Sequence, residues 1–510
     1  MVNFIDSKKA ATLIQDNDTI IVEGFIGACV ADDIHHALSQ RFLKEGHPKN
    51  LTLIHAAGIG NAKDKGMNYY AHKGMVKRII GGHWAMAPQL HPLVENNEIE
   101  AYNFPQGVIS QLMRETAAKR PYLLTTVGLN TFVDPSIDGG KLNACTTEDL
   151  VDRVTIKEKD YLAYHCFTPD VLIIRGSFAD ERGNISFEEE ALTLEATAEA
   201  MAVKNNGGRV IVQVKAVVPS GSLNPKLVKI PSVLVDDVVV TESIHSQTYA
   251  TDFNPAFITS DLLYFKEDDS VYPLNIRKVI ARQASQFLPE NTKVINYGIG
   301  IPEVVAQILK EEGINHQFMN TVEPGTFGGI SQGGMDFGAS LSPEAVVDQP
   351  YMFDFYDGGG IDIAFLGMAQ CDCQGNINVS KFGSRIAGAG GFINISQNTP
   401  VVIFCGTFTA GNLEVAVTES GLTILNEGKN QKFVEQVEHI TFSGRYAIEQ
   451  NQQVYYVTER AVFKLEEAGM TLIYIAPGID LQKDILDQMA FVPKIAEDLK
   501  IMDLSLFKEK

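Results

Sequence analysis

Long apolar runs are missing from this chain of 510 residues. No stretch approaches the ~18 residues that a membrane-spanning helix needs. The opening, MVNFIDSKKAATLIQDNDTI, has neither a long apolar centre nor a cleavage site, and reads instead as an amphipathic helix capped at Asp6 or Ser7. Basic charge is also short: 42 Lys and Arg stand against 63 Asp and Glu, a net charge of −21. With no Lys/Arg block either, nucleic acid is excluded as a partner, because phosphate backbones need a basic field. An anionic ligand would need a nest of backbone N–H groups instead. Cysteine is scarce. Of the six, only Cys371 and Cys373 are close, as C-x-C without a second pair, so zinc spacing is absent. The adjacent His35 and His36 point to different faces of a helix, and no metal is expected. The thiols read as free, in a reducing cytoplasm.

What is present is an ordinary globular composition, 45% hydrophobic and 21% charged. The length implies about two or three domains. Val- and Ile-rich runs alternate with helical patterns: NDTIIVEGF before ADDIHHALSQRF, and NTKVINYGIG before PEVVAQILKEEG. Such alternation predicts an α/β fold with mainly parallel open sheets. The chain also echoes itself. Asp170, Asp180, Gly183, Asn184 and Ile185 align without a gap on Asp362, Asp372, Gly375, Asn376 and Ile377, each set reading as strand, turn, strand. Upstream, Ile20-Ile21 echo Val294-Ile295. Two echoes in the same order indicate two related α/β halves, residues 1–268 and 269–510, with an extra segment inside the first. A weaker match sets Phe104-Pro105-Gln106-Gly107 against Val322-Glu323-Pro324-Gly325.

Three glycine clusters mark the second half. YGIGIP (Tyr297 to Pro302) lies between a strand and a helix. It has no third glycine for a dinucleotide fingerprint and no following Gly-Lys-Ser/Thr, so NAD and P-loop nucleotides are unsupported. Its N–H groups suit an anion; tight strand–helix packing explains it equally well. GAGGF (Gly388 to Phe392) reads as an oxyanion site or a bulged bend. TVEPGTFGGISQGG (Thr321 to Gly334) holds one carboxylate, Glu323, among five glycines. Taken alone it also reads as a surface turn. Pro324 disfavours helical backbone at Glu323 and holds it extended at a strand's C-terminal end, where open α/β sheets place ligands. No companion carboxylate motif supports a glycosidase. A lone Glu among backbone donors fits a nucleophile that is ionised at pH 7 without a general base.

With these motifs the chain resembles a family I CoA-transferase, of the single-chain acyl-CoA:acetate/3-ketoacid (propionate) type. The resemblance rests on Tyr70–Arg78 with IIGGHW, EAYNFPQGVISQL, TVGLNTFVDP, DERGNIS, TVEPGTFGG with GGMDFGAS, and GAGGFINISQ, and spans nearly the whole chain. It implies two fused α/β domains with the active site between them, and a short-chain acyl-CoA donating CoA to a free acid such as acetate. It makes Glu323 the residue that forms the enzyme–CoA thioester, Gly390 and Gly391 backbone oxyanion donors, and Gln106 a polar contact from the first half. Gly298, Ile299, Gly300, Ile301, Pro302 and Gly388 become CoA contacts, with Lys381 a candidate for the CoA phosphates. Tyr69, His83, Trp84 and Tyr102 are candidates for the acyl pocket or simply core aromatics. No resident cofactor is implied, CoA being substrate and covalent intermediate; the partners are acyl-CoA and short-chain carboxylic acids, in a cytoplasmic homo-oligomer, dimer or tetramer. Two rivals stay open: an acyl-CoA hydrolase on the same fold, and a non-catalytic CoA-thioester sensor.

Overall fold

A computed structural model describes residues 2–260 and 271–509. The expected boundary at residues 268/269 lies outside the described residues. The chain forms two compact units. Unit 1 comprises Met1–Lys266 together with two later excursions, Val322–Asp354 and Gly383–Asn394; unit 2 comprises Glu267–Thr321, Phe355–Phe382 and Ile395–Lys510.

Unit 1 is built on an eight-stranded sheet. Its strands are β1 (Asn3–Ile5), β2 (Thr19–Val22), β3 (Leu51–His55), β4 (Val76–Gly81), β5 (Glu100–Asn103), β6 (Val171–Arg175), β7 (Arg209–Val214) and β8 (Asp237–Val240). The order is β1-β8-β7-β6-β2-β3-β4-β5, and every adjacent pair is parallel. Ile20, Ile21, Leu53, Ile173, Ile174 and Ile211 are fully or almost fully buried, as strands covered on both faces require. Helices α1 (Ser7–Leu13), α2 (Asp32–Glu45), α3 (Gln106–Ala117) and α4 (Ala196–Asn205) belong to the same unit. The Asp6 carboxylate accepts from the Lys9 N–H at 2.6 Å, which is the N-cap expected there.

Unit 2 carries β9 (Val294–Tyr297), β10 (Met319–Val322), β11 (Ile363–Gly367), β12 (Val401–Cys405), β13 (Gln453–Val457), β14 (Ala461–Glu466), β15 (Gly469–Ile475) and β16 (Lys494–Ile501). From β10 through β9, β11, β12 and β13 the pairing is parallel; β14 then runs antiparallel to both β13 and β15. Helix α5 (Ile276–Ser285) is capped by Asn275, and α6 (Ile301–Glu311) starts with Pro302 in its first turn.

The internal echo is physical. Asp180 Oδ1 accepts from the N–H groups of Arg182 and Asn184, both at 2.9 Å; Asp372 Oδ1 accepts from Gln374 and Asn376 at 3.0 and 3.1 Å. Asn184 and Asn376 each return a side-chain N–H to the same aspartate. Upstream, Asp170 accepts from Thr19 N–H at 2.8 Å, and Asp362 from Val294 N–H at 2.9 Å. The same carboxylates therefore close the same turns and strand starts in both halves.

Candidate active site

Glu323 stands at the first corner of a tight turn directly after β10. The Gly325 N–H closes that turn on the Val322 carbonyl at 3.0 Å. Gly325 has φ +125°, and a Cβ there would lie 2.0 Å from the Val347 carbonyl oxygen, so no other residue fits the exit from the corner. The Val347 N–H donates back to Gly325 O at 2.9 Å, and Thr326–Phe327 pairs antiparallel with Ala345–Val346. Phe25 packs on Phe337 at 5.7 Å, and a Cβ on Gly338 would meet the Phe25 ring at 2.7 Å and Pro324 at 3.2 Å. The turn is thus clamped on both sides of the carboxyl.

The Glu323 side chain keeps partial contact with solvent. Even so, desolvation by the surrounding protein pushes its carboxyl up to about 7, against a smaller lowering by its own backbone N–H. Among the described residues no other side chain pairs with it. This corrects the expectation of a carboxylate that is simply ionised at pH 7: the group is poised near half-ionisation there. The glycines around it leave few polar groups to hold the charge.

The Gly388–Gly391 loop belongs to unit 1 and is fixed by its backbone. The Ala387 carbonyl accepts from Trp84 N–H at 2.7 Å, Ala389 N–H donates to Asn103 Oδ1 at 2.9 Å, and Gly390 N–H donates to Gly82 O at 2.8 Å. Asn103 is itself anchored, donating to Gly81 O and Gly82 O at 2.9 and 2.7 Å. Gly390 N–H is therefore already committed. The N–H of Gly391 has no acceptor among the described residues, which narrows the expected pair of oxyanion donors to one.

Gln106, the first residue of α3, is 2% exposed. Its backbone N–H donates to Gly390 O at 2.9 Å, and its Nε2 donates to Gln349 Oε1 at 3.2 Å. Gln349 Nε2 donates in turn to Glu195. The next N–H of α3, from Gly107, donates to Asn394 Oδ1 at 3.1 Å. Unit 1 thus gathers Gln106, Gly388, Gly390 and Gly391, and the Glu323 turn belongs to the same unit.

Of the four aromatic candidates, only His83 has its ring at the glycine loop. A Cβ on Gly390 would lie 3.6 Å from the His83 ring and 3.7 Å from Gln106 Oε1. Burial, then the neighbouring His55 and His91, push His83 down to about 4, so its ring is neutral at pH 7. Trp84 is a core residue of unit 1. Tyr102 is buried with its hydroxyl on Glu148 O at 2.8 Å, and Tyr69 packs on His36 at 5.5 Å.

Gly298, Ile299, Gly300, Ile301, Pro302 and Lys381 belong to unit 2. Gly298 N–H donates to Phe365 O at 2.8 Å, Ile299 is 60% exposed, and nothing crowds Gly300. Burial raises the Glu303 carboxyl, and a hydrogen bond from Gly300 N–H opposes that shift. A carboxylate of the protein thus already occupies part of the nest read as an anion site. Lys381 shares a local turn with Asn378, which donates to its carbonyl at 2.7 Å. Gln349 and Glu195 had no signal in the sequence. They sit far from Gln106 in the chain, in segments without glycine clusters.

Comparisons with known proteins identify the family and the fold. A family model described as Coenzyme A transferase matches residues 5–241. The chain is 46% identical to a caffeate CoA-transferase of Acetobacterium woodii, over 100% of this chain and 98% of that protein. It is 43% identical to the acetate CoA-transferase YdiF of Escherichia coli (strain K12), over 99% and 95%. The crystal structure of the E. coli O157:H7 acyl-CoA transferase YdiF, a thioester complex with CoA, superposes with a TM-score of 0.93 at 41% identity, covering 99% of this chain and 96% of that one. High identity along both full lengths, on one fold, shows that the chain is an enzyme of the coenzyme A transferase family.

Proposed function

We propose that this enzyme moves CoA from a short-chain acyl-CoA to a free carboxylic acid such as acetate, through a thioester on Glu323. One observation carries the assignment: Glu323 is a desolvated carboxyl, raised to about 7, with no other side chain to neutralise it, on a turn that only glycine permits. An unpaired carboxyl at such a position has no structural use, and a perturbed one is what nucleophilic catalysis needs. Two similar proteins are named for acetate and caffeate, and the YdiF structure is described as a thioester complex with CoA.

The chemistry follows. A Glu323 carboxylate oxygen attacks the thioester carbonyl of acyl-CoA, and the CoA thiolate leaves with the electron pair of the C–S bond. The resulting mixed anhydride is attacked by that thiolate at the glutamyl carbonyl. The acyl group departs as its carboxylate, and glutamyl-CoA remains. An incoming acid runs the two steps in reverse. Each tetrahedral intermediate puts charge on oxygen. The Gly391 N–H is the proposed donor to it, since Gly390 N–H is held by Gly82, and Gln106 is the proposed side-chain contact. One such donor is typically worth about 3–4 kcal/mol. One thioester replaces another of similar energy, so the exchange needs no other energy source.

For the CoA carrier, Gly298 to Pro302 and Gly388 are proposed contacts. The exposed Ile299 favours an apolar contact there, and Glu303 disfavours a phosphate. Lys381 is the proposed phosphate contact. Propionate is proposed alongside acetate, and a cytoplasmic homo-oligomer is the proposed state; free thiols at all six cysteines support a reducing compartment. The test is a panel of acids offered as acceptors against acetyl-CoA. Parallel double-reciprocal lines and release of each acyl-CoA support the reading; release of acetate at one rate whatever the acceptor would replace it with hydrolysis.

A further inference from the structure

Unit 1 contains a group of carboxyls that the proposed reaction does not use. Glu23, directly after β2, Glu195, at the N-terminal end of α4, and Glu199, in the first turn of α4, are 1%, 3% and 1% exposed. The Glu195 N–H donates to Glu23 Oε1 at 3.1 Å. The second carboxyl oxygens of Glu23 and Glu199 are buried without a hydrogen-bond partner. Leu194, just before Glu195, has φ +44°, a strained value for a side-chain-bearing residue. Its carbonyl accepts from Gln349 N–H at 3.0 Å. The strained corner therefore brings Glu195 and Gln349 together. Asp348, the other carboxylate nearby, is satisfied by Lys229 and Thr193, both at 2.7 Å.

Glu195 begins a directed chain. Its oxygen accepts from Gln349 Nε2, and Gln349 Oε1 is thereby left to accept from Gln106 Nε2 at 3.2 Å. A carboxamide offers a donor at one end and an acceptor at the other, so two carboxamides in series can run in either direction. Only a terminal group that accepts without donating fixes which. An ionised carboxylate is such a group; a protonated one, or an amide, is not. We propose that Glu195, acting through Gln349, is a positioning residue for transfer: as an acceptor-only terminus it locks the Gln106 carboxamide in the orientation the reaction uses. This rests on the reading that Gln106 serves the reaction. In that orientation Nε2 faces Gln349, and its second N–H has no protein acceptor among the described residues.

The charge state of Glu195 depends on its surroundings. Burial is the main influence and raises it to about 7; Ser110 of α3 and Gln349 oppose the shift, and Asp348 adds to it. Glu23 and Glu199 are held well above the usual carboxylate range, first by burial and then by the neighbouring carboxyls of the group.

The test is an exchange of groups between the two positions. Glu195→Gln removes the acceptor-only terminus and keeps the shape. The expected result is a kcat about tenfold lower with the KM for acetyl-CoA, propionate being the acceptor, within about twofold. Glu195→Gln combined with Gln349→Glu keeps the same atoms and puts an acceptor-only group directly against Gln106 Nε2. This pair should regain most of the lost kcat, which a merely structural role for Glu195 does not predict. Melting temperatures establish that both variants fold. A wild-type kcat in Glu195→Gln, or no recovery in a folded exchange variant, overturns the proposal. Gln106→Ala separates the two failures: a wild-type kcat there removes the role of Gln106 itself, and this inference with it.

Discussion

Glu323→Gln removes a charge and keeps a shape, and its consequences differ with pH. Burial lifts the Glu323 carboxyl from 4.5 to about 7, so the native state binds its proton more tightly than the unfolded chain does. Between those values the unfolded chain has released the proton and the folded one has not. The stability this group contributes is full below pH 4.5 and is lost as pH rises through 7. The shift of roughly 2.5 units corresponds to roughly 3 kcal/mol at 1.36 kcal/mol per unit. Partial contact with solvent screens some of that, leaving about 2 kcal/mol. Glu323→Gln should therefore match the wild type near pH 4.5 and exceed it by about 2 kcal/mol at pH 8.5. For units of this size that is about 4 °C in melting temperature. Calorimetry at the two pH values, followed through the first transition, measures it, and the same samples assayed for CoA transfer should show none. An offset equal at both pH values, a variant less stable at pH 8.5, or retained transfer would refute the reasoning.

Further outcomes follow from the same geometry. The rate of the first half-reaction should rise through pH about 7 as Glu323 ionises; a flat profile from pH 5.5 to 8.5 contradicts the assigned nucleophile. Acetyl-CoA without an acceptor should leave CoA on the protein, and borohydride should then reduce Glu323 to an alcohol that peptide mapping finds within TVEPGTFGG; acetyl-CoA consumed with no mass gain means hydrolysis. Gln106→Ala should lower kcat by about tenfold or more while CoA binding holds, a loss typical of one polar contact to a developing oxyanion.

The sequence was most legible where one physical rule dominates. Parallel strands buried on both faces read as continuous Val and Ile runs, and β2, β6, β7, β11 and β12 appear where those runs lie. The Asp-x-x-Gly-Asn echo was legible because a carboxylate closing a turn around a glycine leaves a fixed spacing. The same logic made the weak echo around Gln106 and the glycine clusters visible as patterns, while the roles given to them came from the family resemblance. What it did not find depends on contacts distant in sequence. Trp84 and Tyr102 were offered as pocket or core, and only packing shows that they belong to the core. The Gly390 N–H looked as available as that of Gly391 until Gly82 appeared as its acceptor. The clearest case is the Glu195–Gln349–Gln106 chain, whose three members come from three separate segments and share no motif.

The charge on Glu323 illustrates why a local reading stopped short. A sequence shows a carboxylate, and its ordinary ionisation follows from residue type alone. Whether that ionisation survives depends on how much protein surrounds the group. Here the desolvation that lifts the carboxyl to about 7 disfavours only its charged form. In the proposed reaction the mixed anhydride and the glutamyl thioester formed at Glu323 are neutral and escape that penalty. Relative to a carboxylate in water, the covalent states are thus favoured by roughly the energy that separates the two ionisation constants. An acceptor acid entering from water must lose some of its own hydration to react, so the two sides of the exchange stay near balance. If Glu323 is the nucleophile proposed above, its turn of glycine, proline and one unpaired glutamate, by leaving the charge without a partner, brings the energy of the free enzyme toward that of its acylated forms, which is what a reversible transfer between similar thioesters requires.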